Sequence, residues 1–332
     1  MTRSVLALGL FLVGCNGTAT DEGTTDTTDT TEPACTNPIV PSETFPEPDS
    51  TDVYYRTSIR VALFAADPSA VLTVATADGT EVVGASTVEG DVVIFTPDAP
   101  LMPSTVYNVT LSYDSCEDAV ITWTTSDVGG PLDVDVVGKV YELDLSSGLW
   151  LEPPGVGAAL AALAADVEVL VSPTEADAQV SFLGALGDGT GDQDICSETF
   201  TLDGADFNDP YFELEADELP FSVGGIDVDI TDLFLSGAFA PDGSELAGVV
   251  LVGTVDTRAL VSFVPGEGDD AVCEFAMELA GVGCTECPSG EGPYCLSVRV
   301  ESIEAPEVVG ADALVPRVQA DIDVDDRCTV GA

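Results

Sequence analysis

Histidine is missing altogether from this chain of 332 residues, which removes Ser-His and Cys-His nucleophile systems and every zinc site that needs imidazole. Basic residues are nearly as scarce. Only 8 Lys and Arg stand against 60 Asp and Glu, a formal charge of −52. Such a surface repels phosphate backbones and anionic lipid head groups, which excludes nucleic acid as a partner. The single lysine, Lys139, follows no SxxK motif, and GxSxG, GxGxxG and GxxxxGK are all missing. Acyl-serine, dinucleotide and P-loop chemistries are therefore without support. Hydrolysis by a pair of carboxylates, as in glycosidases, needs none of these groups and stays open. With 60 acids in the chain, however, no particular pair stands out.

What the chain does have is apolar content, 45% of its residues, enough to bury a sizeable core. Its length fits one large or two ordinary domains. The start reads as an export signal: Arg3, an apolar stretch from Val5 to Val13, then Gly14-Cys15. About ten apolar residues in a helix reach about 15 Å, half of a ~30 Å hydrocarbon core, so the stretch is read as a processing signal. From Asn16 to about Asp52 the composition turns to Thr, Asp, Glu and Pro, an expected disordered tether.

The tetrad Leu12-Val13-Gly14-Cys15 resembles the lipobox of bacterial lipoproteins. That resemblance implies a leader over 1–14, acylation of Cys15 with palmitate-type chains, and a membrane partner held through the lipid anchor. Several acyl chains hold far more firmly than one. Asn16 after the cysteine, by analogy with sorting in enteric bacteria, points to the outer membrane or cell surface. The plainer alternative is an ordinary secretory leader with a chance cysteine.

Eight cysteines remain: Cys35, Cys116, Cys196, Cys273, Cys284, Cys287, Cys295 and Cys328. An even number in an exported chain predicts disulfides. Cys35 and Cys116 bracket the first folded region and are expected to pair; the other six allow 15 pairings, which spacing does not resolve. Cys284-x-x-Cys287 with Cys273 and Cys295 could instead form a four-thiolate zinc site. No βαβ pattern surrounds the CxxC to favour a thioredoxin-like role.

Residues 53–130 alternate short β-prone runs with turn signals, the pattern of a sandwich. The stretch VVIFTPDAPLMPSTVYNVTL from Val92 to Leu111, followed by ITWTTSD from Ile121 to Asp127, resembles the bacterial Ig-like domain of S-layer and other surface proteins. The resemblance implies a spacer or adhesive β-sandwich and brings no catalytic residues. Tyr107 and Trp123 are read as core in preference to an aromatic binding face.

After Gly129-Gly130-Pro131, residues 131–332 read as one larger antiparallel β-rich domain with one or two short helices, at Gly155–Ala165 and Asp270–Leu279. The fold class is thus mostly β, an Ig-like β-sandwich followed by this domain. LFLSGAFAPDGSELAGVVLVGTV predicts a long hairpin turning at Asp242-Gly243. The alternating acids Asp133-Val-Asp135, Asp227-Val-Asp229 and Asp321-Ile-Asp323-Val-Asp325 are read as solvated strand faces. Asp188, Asp192 and Asp194, in GDGTGDQD, are the calcium candidates, although no complete EF-hand loop is present.

The function expected from these residues is a non-enzymatic, membrane-anchored envelope lipoprotein with structural or adhesive contacts to other envelope or surface components. A second reading gives the second domain an apolar cavity between helix 155–165 and its sheet, carrying a hydrophobic ligand. The carboxylate-pair glycoside hydrolase ranks third.

Overall fold

Short β-prone runs with alternating burial build the first unit of the structure, a computed structural model that describes residues 39–113, 116–165, 167–223, 226–264, 266–290 and 292–328. Its strands are β1 (Ile39–Phe45), β2 (Ile59–Leu63), β3 (Val71–Thr76), β4 (Gly84–Glu89), β5 (Val92–Pro97), β6 (Val106–Tyr113) and β7 (Cys116–Thr124). They form two antiparallel sheets, β1-β2-β5-β4 and β3-β6-β7. Every second residue of β6, from Tyr107 to Tyr113, is buried, and these side chains meet Val93, Phe95, Ile121 and Trp123 between the sheets. Tyr107 and Trp123 are each 1% exposed, with ring centroids 5.0 Å apart, so both belong to the core.

β1 corrects the expected extent of the tether. The reading as disordered chain ran to residue 52, yet Ile39–Phe45 pairs with β2 as a sheet edge. Pro41 and the acidic surroundings hid this strand, and an edge position tolerates proline because its missing N–H breaks no ladder on the open side.

The second unit contains β8 (Tyr141–Leu143), β9 (Leu149–Glu152), α1 (Gly157–Ala164), β10 (Val169–Ala176), β11 (Gln179–Leu186), β12 (Phe200–Asn208), β13 (Tyr211–Val223), β14 (Ile226–Phe239), β15 (Glu245–Asp256), a 3₁₀ helix (Thr257–Phe263), α2 (Ala271–Ala280), β16 (Cys295–Pro306) and α3 (Gln319–Ile322). Nine strands make one sheet in the order β8-β10-β11-β12-β13-β14-β15-β16-β9. The sheet closes on itself. Asp144 N donates to Glu304 O at 2.9 Å and Val308 N to Val140 O at 2.8 Å, so the β8 segment joins β10 to the far end of β16. β9 runs on in the same direction along β16, with Trp150 opposite Val300. The chain then leaves through α1 and returns in β10.

The predicted runs GIDVDI and LFLSGAFA are one strand, β14. Asp232 sits at its bulge with φ 52°. One extra residue switches which parity faces inward, from Val228 and Ile230 to Leu233 and Leu235. β16 does the same at Ser302, φ 56°, where Val298 and Val300 give way to Ile303 and Ala305. Inside the closed end, Phe182, Phe212 and Phe239 pack with centroids 5.0–6.3 Å apart. They leave a void of only about 10 Å³.

Two acidic alternations are corrected. Residues 133–135 form a bend, not a strand, with Asp135 Oδ1 accepting from Val137 N at 2.9 Å. Residues 321–325 belong to α3 and the turn after it. Asp325 binds Arg317 and Arg327 at 3.0 and 2.7 Å. The third alternation does lie in β14, where Val228 is buried and Asp229 exposed.

The two units touch. Ala238, on the outer face of β14, and Ala240, just after it, join the sandwich core cluster, with Tyr211 and Ala247 packed against it. Gly248 is required there: a β-carbon on it would lie 2.2 Å from the Tyr54 ring. The Arg56 guanidinium stacks 3.5 Å over the Tyr211 ring.

Candidate functional site

The long strands β14, β15 and β16 extend past the phenylalanine-filled end of the barrel, and their inward residues go on being apolar. Val228 and Ile230, Leu251 and Val255, and Leu296 and Val298 form one wall. The opposite wall is helical. In α1, Ala159, Leu160 and Ala164, with Val156 before it, lie on one face at helical spacing. In α2, Val272, Phe275 and Ala276 do the same, while Glu274 and Glu278 are exposed on the other side. The 3₁₀ helix adds Leu260, and β9 adds Trp150. Between the two walls lies a cavity of about 280 Å³.

Nearly every lining group is hydrocarbon. Among the described lining residues Thr257 is the one hydroxyl, and it donates to Tyr294 O at 2.6 Å, which leaves it no proton for a ligand. The Trp150 indole N–H donates to Leu145 O at 3.0 Å, so its ring is held in the wall with its polar edge already satisfied. Among the described residues, no Asp, Glu, Lys or Arg lines the space. The cation next along the chain, Arg258, forms a 2.5 Å ion pair with Asp256, which also caps the 3₁₀ helix by accepting from Arg258 N. The hydrogen bond from the Arg258 side chain holds the Asp256 carboxyl below the usual carboxylate range.

The two helices that cover the cavity are held differently. α2 is bound by Cys273–Cys284, and Cys287–Cys295 ties the loop after it to β16. It ends on Gly281 in the left-handed region, whose N–H bonds to Met277 O. α1 has eight residues, no side-chain N-cap and no charged group to complement either end. An isolated helix of that length is marginal in water. It stays in place through close packing, since a β-carbon on Gly157 would meet Trp150 O at 2.9 Å.

The residues singled out in the sequence are placed as follows. Cys15 and Cys35 lie outside the described residues, and with them the expected lipidation site and the Cys35–Cys116 bridge. Six cysteines pair as Cys196–Cys328, Cys273–Cys284 and Cys287–Cys295. The four-thiolate zinc alternative therefore falls, because all four sulfurs are in disulfides, and Cys284 and Cys287 are bonded to other partners rather than to each other. The same bonding disposes of Asp256, Cys287 and Cys295, whose ligand atoms lie within 4.8 Å of one another but include no free thiol. Asp188, Asp192 and Asp194 do not form such a group. Asp188 Oδ1 accepts from Thr190 N and Oγ1 at 2.9 and 2.6 Å, and Asp194 accepts from Cys196 N and Ser197 Oγ, so both carboxylates serve their own turns. The hydrogen bonds from Thr190 hold Asp188 below the ordinary carboxylate pKa. The cavity lies where the second reading of the sequence put one, between the 155–165 helix and the sheet, although strand residues such as Ile230, Leu251 and Val298 carried no sign of it, because inward alternation looks the same over a cavity as over a core.

Residues 35–128 match the bacterial Ig-like domain family. No curated protein matches the sequence. Among solved structures, the S-layer protein rSbsC(31-844) aligns with 9% identity and a TM-score of 0.20, a likeness too low to define a shared fold. The alignment covers 80% of this chain but only 54% of that one, so this chain spans about half of that protein's length. Among the described residues, no helix is long and apolar enough to cross a membrane.

Proposed function

We propose that this protein is a lipid-anchored, non-enzymatic protein of the bacterial cell surface, in which the Ig-like sandwich is a structural or adhesive module and the barrel binds a hydrophobic ligand. The surface placement rests on the Ig-like match at residues 35–128 together with the lipobox tetrad ending at Cys15 and the acidic tether. Ligand binding rests on one observation, the apolar cavity at the barrel mouth.

Its size carries the argument. At about 24 cal/mol per Å³, a fully enclosed empty space of 280 Å³ would forfeit roughly 7 kcal/mol of packing, an upper bound for one that opens at the barrel mouth. A whole domain is typically stable by only about 5–15 kcal/mol. A spacer with no ligand would gain from closing such a space with larger side chains, whereas α1 fills its wall with alanines. Among the described residues the lining carries no pair of carboxylates that could act as catalytic acids.

Solvent extraction of protein purified from its native membrane, followed by mass spectrometry, tests the binding half. A stoichiometric hydrophobic compound is expected, and an extract holding none would favour a purely structural or adhesive role. Metabolic labelling with palmitate tests the anchor. Label is expected in the parent and lost in Cys15→Ala, and an unlabelled parent would remove the anchor.

A further inference from the structure

The occupant of the cavity can be specified further, on the footing of the binding function just proposed. We propose that the cavity takes the hydrocarbon tail of an uncharged single-chain amphiphile, with its polar head left outside the barrel mouth.

Volume limits the tail. A protein cavity of about 150 Å³ lined by aliphatic and aromatic side chains accepts one benzene, six carbons. On that scale a space of 280 Å³ holds a tail of about ten to twelve carbons, too little for two chains or a fused ring system of sterol size. Chemistry limits the head. A buried polar group without a hydrogen-bond partner costs several kcal/mol, and the one lining hydroxyl, on Thr257, is already committed to Tyr294 O. The polar end must therefore stay in water. Charge makes the third limit. A carboxylate head would find no cation in the lining, Arg258 beside it neutralised by Asp256, and exposed acids on the covering segments at Glu152, Glu267, Asp269, Asp270, Glu274 and Glu278. The whole chain adds a formal −52. An anionic amphiphile is repelled where a neutral one is not.

Delipidated full-length protein, titrated with straight-chain alkan-1-ols and with decanoate at low salt, tests this. Trp150 in the wall supplies the readout. A bromine-terminated decanol is expected to quench part of the tryptophan emission, the part left being that of Trp123, buried in the sandwich core. Affinity, read for the unbrominated alkanols and decanoate from their displacement of the brominated probe, should climb by about four-fold per methylene, the equivalent of ~0.8 kcal/mol, and level off at ten to twelve carbons. Decanoate should bind at least ten-fold more weakly than decanol, with the gap narrowing as salt is added. Ala276→Phe, which occupies the space from α2, should abolish quenching while leaving the fold intact. If the brominated decanol leaves Trp150 unquenched, the binding function itself fails. Should alkanols bind but decanoate match them, the cavity binds ligand and the uncharged head is wrong. Affinity that keeps rising past fourteen carbons, or quenching that survives in Ala276→Phe, would overturn the single-tail assignment.

Discussion

Ala276 and Glu245 show how much one side chain can decide here. Ala276 is 5% exposed on the inner face of α2, and a larger apolar residue there would fill empty space instead of displacing neighbours. Ala276→Phe is expected to raise stability by about 1–2 kcal/mol, the usual return from filling a cavity, in a denaturant melt of the ligand-free protein. In a packed core the same change would destabilise. Glu245 works through charge. It is half-buried where barrel meets sandwich, and burial, then the charges of Asp52, Asp127, Asp242 and Glu304, raise its pKa. A carboxyl with a raised folded pKa contributes fully below its unfolded pKa of about 4.3, and that contribution is lost as pH rises through the folded value. Glu245→Gln keeps the uncharged form at every pH. It should therefore melt higher than the parent at pH 7 and at the same temperature near pH 3.5, and an advantage that persists at pH 3.5 would contradict this account.

At the scale of elements, the contrast between α1 and α2 governs the dynamics of the cavity. Two disulfides and a left-handed glycine cap secure the α2 region, whereas α1 depends on packing alone. Hydrogen exchange should find α1 amides open well before those of α2, and bound decanol should slow α1 selectively. Ala162 lies on the exposed face of α1, so Ala162→Gly should weaken that helix by about 1 kcal/mol. Ligand dissociation would then quicken about five-fold, measured by stopped-flow recovery of Trp150 emission, with little change in the global melt. The third disulfide serves the barrel. Cys196–Cys328 closes a loop of 132 residues and fastens the C-terminal segment beside β12. Removing it by Cys196→Ser with Cys328→Ser is expected to cost about 2–5 kcal/mol in a denaturant melt.

For the whole molecule, charge and the contact between units dominate. Acids spread over a body of this mass lie about 15 Å apart, beyond the ~8 Å Debye length at 0.15 M salt but well within the ~30 Å at 0.01 M. Stability should therefore rise with ionic strength, and melting temperatures that stay flat from 0.01 to 1 M salt would show that self-repulsion is not limiting. The join between sandwich and barrel depends on Tyr54 lying over Gly248 and on Arg56 stacked against Tyr211. Gly248→Val both crowds Tyr54 and strains a backbone at φ 58°. Calorimetry of that variant should resolve two transitions where the parent gives one.

Alternation and turn chemistry were enough to place most strands, the helix after Asp270 and the hairpin through Asp242-Gly243, because those patterns record local backbone preference and the burial of one face. The Ig-like sandwich was legible from VVIFTP and ITWTT for the same reason. Three things depended on partners distant in sequence. β1 is a strand only because β2 offers it an edge, and Asp325 in the last acidic alternation is held in a turn by Arg317 and Arg327. Which cysteines pair follows from where β12, α2 and β16 come to rest. The cavity is of the same kind: apolar residues in β14, β15, β16 and α1 look alike in sequence whether they touch or stand apart. Composition determined that the chain is acidic and built around apolar cores, and its alternation and turns that it is mostly β, while only the closing of the sheet and the stand-off of two short helices decided that one of those cores would be left unfilled.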